Sequence, residues 1–345
     1  MAISASGQSK PSFEQVYRLD PPATVVDFVP GGEDTPLVLA RNADEALLIH
    51  HNAEGWQRVR LPEQAKSVAQ DKRYFWIAGT SGIWRQPSAG GRWEKRWEGE
   101  GLERILFVGE KGFSTGSGKT ILQTSNGEEW RRVPAADEPT TNTANTTYHW
   151  IHFVTERVGI ISGASRPPRK GRTETYPAWL DPDRESRRKE WPGASITLET
   201  RDGGTSWRHS VTSIFGKITR VRYARDGKGL ALVEFHDAFE WPSEVFSIDL
   251  KAGSSERVFR RKDRAVTDTW LFTGRGYLAA IEPPEIASEV RQGRVSVFQS
   301  EDLQEWKELP FPKVEAGRVW LAGLPGGALW AATDTGLLFR ASVTP

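Results

Sequence analysis

A tryptophan that opens a strand directly after a tight polar turn recurs along this chain, and that recurrence limits the fold more than any other feature. It appears in the segments 50–62 (HHNAEGWQRVRLP), 124–134 (TSNGEEWRRVP), 200–210 (TRDGGTSWRHS) and 299–310 (QSEDLQEWKELP), centred on Trp56, Trp130, Trp207 and Trp306. Asn52, Asn126 and Asp302 sit four residues before their Trp, and Asp202 five before. Trp93 marks a weaker copy, 37 residues from both Trp56 and Trp130. An Asx side chain tolerates turn geometry and accepts bonds from nearby backbone N–H groups. The indole is then free to pack between neighbouring sheets.

Reading outward from each hairpin recovers four short strands per repeat. In the third repeat they are LERILFV, GFSTGS, TILQTS and EWRRVP; in the fourth, HWIHFVT, VGIISGA, ITLETR and SWRHSV. A fifth repeat keeps the order without the Trp: KITRVRYA, GLALVEF, EVFSIDL, SERVFRR. The last repeat supplies only GRVWLAG, ALWAAT and GLLFRAS, and its missing outer strand is found at the other end of the chain, in FEQVYRL (13–19). Seven repeats in 345 residues average about 49 each, close to a four-stranded propeller blade. The expected fold is therefore all-β, a seven-bladed β-propeller of four-stranded antiparallel blades, with the N-terminal strand closing the last blade. Residues 1–12 are expected to be a disordered lead-in and 13–345 a single domain. Six or eight blades are the alternatives, because 77 residues separate Trp130 from Trp207, although only four strands can be placed there.

Composition agrees and excludes several functions. Fifteen Trp among 33 Gly and 21 Pro favour short strands joined by turns over helices. With no Cys, disulfides, thiolate metal sites and a Cys nucleophile are excluded. A formal net charge of +1 removes a global footprint for nucleic acid, so a nucleic-acid partner is not expected. No stretch approaches the roughly 20 apolar residues of a membrane helix, so no membrane insertion is expected. The opening MAISASGQSKPS shows no signal-peptide apolar core.

The segment Thr200-Arg201-Asp202-Gly203-Gly204-Thr205-Ser206-Trp207 resembles an Asp-box, the BNR-repeat pattern Ser/Thr-x-Asp-x-Gly-x-Thr/Ser-Trp, and the segments ending at Trp56, Trp130 and Trp306 look like degenerate copies. Sialidases, other glycoside hydrolases, sortilin-type receptors and Ycf48/Hcf136-like photosystem II assembly factors carry this signature. The hairpin-plus-Trp blades, the single-domain length and the lack of catalytic signatures most resemble the Ycf48/Hcf136-like group. That resemblance implies a binding protein without enzymatic activity, exported to the periplasm or beyond, although cytoplasmic residence stays open. It also implies a structural role for Asn52, Trp56, Asn126, Trp130, Asp202, Gly204, Trp207, Asp302 and Trp306. A sialidase would need an Arg-Ile-Pro element, and none occurs.

Two further motifs read as ordinary structure. GFSTGSGKT (112–120) has Phe113 where a phosphate loop needs its first Gly, and it lies between strands instead of opening a helix. Of the six His, His149 and His152 are three apart on one strand and so expected on opposite faces, with no third ligand at zinc spacing. No metal or cofactor is expected.

Extra chain is concentrated elsewhere. In a propeller blade the second-to-third-strand loop and the link to the next blade share one face, and the Asp-box turns lie on the other. Blades four, five and six carry long loops of the first kind: 165–193, 236–243 and 283–293. The blade-four loop has eight Lys/Arg against five acids and contains Tyr176, Trp179 and Trp191. Arg and aromatic residues together are the composition of interface cores and glycan platforms. The first expectation is a single-copy scaffold that captures a protein or peptide through Tyr176, Trp179, Trp191, Phe239 and Trp241, steered by Arg172, Arg187 and Arg188. The alternative is a carbohydrate-active propeller, a glycoside hydrolase or lectin, on the same face, with Asp237 or Glu240 as acid or base.

Overall fold

The computed structural model describes residues 12–20, 23–32, 35–166, 192–235, 239–282 and 292–342. They form seven separate antiparallel sheets of four principal strands each, arranged as a closed ring. The innermost strands are Thr24–Pro30, Ala65–Gln70, Leu102–Val108, Thr146–Phe153, Lys217–Tyr223, Ala265–Phe272 and Val319–Gly323, one for each of blades one to seven. Each pairs with the next strand in sequence, and so on outward. Blade six carries one additional short strand, Glu315–Ala316, on its third strand. Glu14–Arg18 pairs with Leu337–Ser342 and so completes blade seven from the opposite end of the chain. That closure leaves the sheet sequence without a free seam at the chain ends.

The ring is held by apolar clusters lying in the seams between blades, one per seam. Alternating strand residues reach opposite sheet faces, so each blade contributes side chains to two seams. The recurring Trp explains part of the packing, because each one leans on the blade before its own. Trp130 of blade three meets Trp76 of blade two edge-on at 6.0 Å, and Trp207 of blade four meets Phe113 of blade three at 6.2 Å. Trp306 of blade six meets Phe259 of blade five, and Trp56 of blade one meets Trp330 of blade seven.

One local device repeats near the axis. Six of the seven inner strands carry one extra residue in their pairing with the second strand, flanked by Val25/Asp27, Ala65/Ser67, Leu102/Arg104, Tyr148/Trp150, Ile218/Arg220 and Val266/Asp268. Such a bulge bends the strand and re-aims the side chains that follow. In blade four it overturns the expected placement of the histidines. The extra residue shifts the alternation, so His149 and His152 both reach blade five, with Nε2 2.6 Å from Ile218 O and 3.2 Å from Tyr223 O. Between them Trp150 Nε1 donates to Val221 O at 2.8 Å.

The 112–120 segment is a hairpin, as its sequence implied. Lys119 takes a positive φ of 55° in the turn and is 5% exposed, and its ammonium donates to Pro139 O at 2.7 Å. It thus ties down the link between blades three and four.

Candidate functional site

The two faces of the ring are chemically unlike. On one face lie the third-to-fourth-strand turns. Asp202 accepts bonds from Ser206 N (2.9 Å), Ser206 Oγ (2.6 Å) and Thr200 Oγ1 (2.9 Å). Ser206 and Thr200 hold its carboxyl down at about 2. Asn126 Oδ1 accepts from Glu128 N and Glu129 N, Asp302 Oδ1 from Gln304 N and Glu305 N, and Asn52 Oδ1 from Glu54 N. Gly204 sits at φ +85°, and a Cβ there would come within 2.7 Å of Phe113. Every one of these acceptors is satisfied inside its own turn. A cavity of about 360 Å³ opens on this face between blades five and six. Its Asp249 and Asp302 are spent on the same kind of turn bond.

The opposite face is where the long excursions leave the ring. Tyr176, Trp179, Trp191, Arg172, Arg187, Arg188 and Asp237 lie outside the described residues. The neighbouring described residues form a contiguous aromatic patch. Phe239 stacks on Phe235 at 4.2 Å with planes 5° apart, lies 5.8 Å from Phe215, and meets Trp241 edge-on at 5.6 Å. Phe215 is 48% exposed, a large apolar side chain presented to solvent. Phe235 N bonds Pro242 O and so closes the base of this loop. Trp241 is a support more than a platform, since the Arg260 guanidinium lies 3.8 Å over its ring. Of the aromatic residues expected from sequence, Phe239 and Trp241 are therefore brought together; Phe215 and Phe235 were missed. Phe235 was hidden at the end of a strand and Phe215 in the turn that follows an outer one.

Beside this patch opens the central channel. The inner strands begin on this face, so their first residues ring its mouth. Lys217 follows the Phe215-Gly216 turn and is register-paired with Glu234, which precedes Phe235. Arg318 Nη2 donates to Glu234 Oε1 at 3.0 Å, Lys66 pairs with Glu103 at 2.5 Å, and Arg166 donates to Gly216 O. Deeper in, residues just past the bulges of neighbouring and next-but-one blades pair with one another. Arg104 pairs with Asp27 at 2.5 Å, and Arg220 with Asp268 at 3.1 Å. Arg104, Arg220 and Arg222 lie 4.6, 4.4 and 4.9 Å from the Trp150 ring. Asp268 is fully buried; burial opposes its charge, but Arg222 and Arg220 hold it below the usual carboxylate range. Burial lowers Arg220 to about 10 against the pull of Asp268. These residues come from blades spread over the whole chain, so no local motif carries them. The sequence trace they leave is charge within otherwise apolar inner strands, as in VVDFV, LERIL, TRVRY and TDTW.

The carboxylates that an enzymatic reading needs are engaged where they are described. Glu240 pairs with Lys262 at 2.8 Å, Glu244 with Arg260 at 3.1 Å, and Glu234 with Arg318. Among the described residues no cluster of His, Asp or Glu is arranged to hold a metal ion, and no helix is long and apolar enough to cross a membrane.

No protein family and no curated protein matches this sequence. Solved structures do resemble the fold. YCF48 bound to a D1 peptide aligns over 98% of this chain and 100% of its own, at 13% identity and TM-score 0.62. YCF48 from Cyanidioschyzon merolae aligns over 95% and 98%, at 12% identity and TM-score 0.63. A GH74 xyloglucanase from Xanthomonas campestris aligns over 95% of this chain but only 53% of its own, at 11% identity and TM-score 0.60. At such identities the likeness is one of fold, and function must be argued from the site.

Proposed function

We propose that this chain is a binding propeller that holds an extended peptide segment of a protein partner across the loop-rich face, over blades four to six. The observation that carries this reading is the Phe215–Phe239–Phe235 patch, with Phe215 exposed and the other two half-buried against it, beside the charged channel mouth. An aromatic surface offers apolar area with few rotamers to immobilise, and a rigid ring keeps loops of separate blades at set positions. The neighbouring cations Lys217, Arg166 and Arg318 favour a ligand with an acidic group next to its apolar anchor, because complementary charge speeds encounter and sets register. Fold similarity to a propeller solved with a bound peptide supports this use of the architecture. Tyr176, Trp179 and Trp191, with Arg172, Arg187 and Arg188, would extend the same surface, and the Asp-box reading of the opposite turns makes that face structural.

The test is selection of random twelve-residue peptides displayed against the intact protein. Enriched peptides should pair an aromatic or aliphatic residue with a nearby Asp or Glu. Their affinity should fall at least tenfold for the double variant Phe215→Ser/Phe239→Ser, and the single variant Phe215→Ser, at a side chain already 48% exposed, should weaken binding while keeping the wild-type melting temperature. Failure to enrich, or equal affinity for the double variant, would overturn the assignment.

A further inference from the structure

Every blade ends in an outer strand with one unpaired edge, and a bare edge invites a further strand. Six of the seven edges are blunted. The outer strands of blades three and six, Arg131–Arg132 and Lys307–Leu309, are only two and three residues long. Those of blades two, five and seven, Glu94–Glu98, Ser254–Arg260 and Glu14–Arg18, each carry an extra residue in their pairing, at Arg96, Val258 and Val16. Gly55–Arg60 of blade one presents Arg58 and Arg60, and Arg58 reaches back to Tyr17 and Asp20. Short length, bulges and charge are the devices that keep edges from pairing.

Blade four has none of them. Arg208–Ile214 runs seven residues in unbroken register against Gly193–Glu199, and its one Lys or Arg is the first residue. Every side chain from Arg208 to Ser213 is exposed. His209 and Ser210 bond back to Glu138 and Thr197, and among the described residues the backbone of 208–214 pairs only with the third strand of its own blade. Three large apolar side chains are exposed among the described residues. Val211, 42% exposed, is at the middle of this strand, and Phe215 follows its end. Phe215 opens the aromatic patch, so edge and patch form one continuous surface.

We propose that this edge takes up an extended peptide as a fifth, antiparallel strand of blade four, with the peptide's apolar anchor seated on Phe215 and Phe239. The inference rests on the peptide reading for its occupant and deepens it by naming how the chain is held. Main-chain pairing supplies affinity with little demand on sequence, and the anchor supplies selectivity. Antiparallel addition also fixes polarity. The Ile214 end of the edge adjoins the patch, so the anchor must precede the paired run, which should be uncharged and β-branched to match Val211 and Thr212. A second copy of the chain fits less well. Seven strand residues are about 24 Å long, and an edge about 10 Å high offers on the order of 240 Å² per partner. A stable dimer needs about 800 Å² per partner, whereas a peptide can turn from the edge onto the patch.

The probe is a fluorescent synthetic peptide, a phenylalanine and an aspartate followed by alternating threonine and valine, titrated with the full chain by polarisation. Alternate amides of an added strand face the edge and the solvent. N-methylation of one alternate set should therefore weaken binding at least tenfold, and of the other set less than twofold. Moving the phenylalanine to the C-terminal end should cost at least tenfold. Val211→Lys should cost at least fivefold with an unchanged melting temperature, because that side chain is already exposed. Hydrogen exchange at the amides of 208–214 should slow on binding. Equal effects of the two methylation patterns would overturn strand addition while leaving a peptide held by its anchor alone. No binding at about 1 mM peptide would overturn it too, since main-chain pairing tolerates most sequences; peptide selection decides the broader reading separately. A dimer of the free chain in sedimentation, lost in Val211→Lys, would give the edge to a second copy and overturn the peptide assignment.

Discussion

The seam between blades three and four and the seam between blades four and five solve the same packing problem with different chemistry. The first buries eleven apolar residues, among them Phe113, Phe153 and Trp207, with Phe113 stacked on Phe153 at 4.6 Å and Trp207 edge-on to both. The second buries five, Trp150, Ile160, Val221, Tyr223 and Ala231. Blade five, like blade seven with its Glu14–Arg18, has an outer strand without the Trp, and the seam between blades four and five goes without that indole. In its place His149, Trp150 and His152 bond to the backbone of Ile218, Val221 and Tyr223, and three arginines cover the Trp150 ring. Hydrogen bonds contribute less net stability than apolar area but fix geometry more strictly. The polar seam lies beneath Lys217, Phe215 and the channel mouth, so the departure from the repeat coincides with the candidate site. A rule broken locally in this way is expected where function, not folding, sets the residue.

The comparison can be broken most severely from the polar side. Asp268→Ala removes the acceptor for Arg220, Arg222, Leu321 N and Thr269 N, leaving two buried guanidinium groups with less to balance them. Urea denaturation should show a loss of about 3–5 kcal/mol, and a loss under 1 kcal/mol would mean that the arginines find other partners. The apolar seam should respond to Trp207→Ala with a loss of about 3 kcal/mol. If that loss proved much smaller than the one at Asp268, the indole would be filling space that the seam can collapse.

Acid should separate the two seams next. Burial, with the nearby charge of Lys217, lowers His149 to about 3, and burial with Arg222 lowers His152 to about 4, both from 6.5. Because the folded values lie below the unfolded one, the unfolded chain binds more protons once pH drops below 6.5. Their contribution is therefore complete above that pH and is lost as pH falls toward the folded values. Denaturant midpoints should decline between pH 6.5 and 5, before most carboxylates titrate, and His149→Gln/His152→Gln should flatten that decline. An unchanged slope would remove these residues from the account. The smallest effect is expected from Trp150→Phe, which keeps the ring but loses the bond from Nε1 to Val221 O. A cost of about 1 kcal/mol in the same denaturation is anticipated, and a stabilised variant would show that the bond is not worth its desolvation.

The aromatic turns and the strand counts were open to inspection because they are local and repeated. Trp56, Trp130, Trp207 and Trp306 each follow their turn within five residues, and a blade is a short contiguous piece of chain. Closure by residues 13–19 was legible for the same reason, as an outer strand short of its blade. Of the eight residues expected at the binding surface, Phe239 and Trp241 lie among the described residues and share the aromatic patch; the other six lie outside them. The channel was not legible. Asp27 and Arg104 are 77 residues apart, and Arg220 and Asp268 are 48 apart; nothing in either neighbourhood announces its partner. Nor does a single sequence reveal the six bulges, each of which shifts strand alternation by one residue and so decides which side of a blade receives His149, Trp150 and His152. What the sequence alone determined is the repeat, and with it the ring, since strand period, turn chemistry and apolar patterning act between near neighbours. What only the tertiary structure decided is the charge arrangement at the axis, because ring closure brings residues from separate blades to one place.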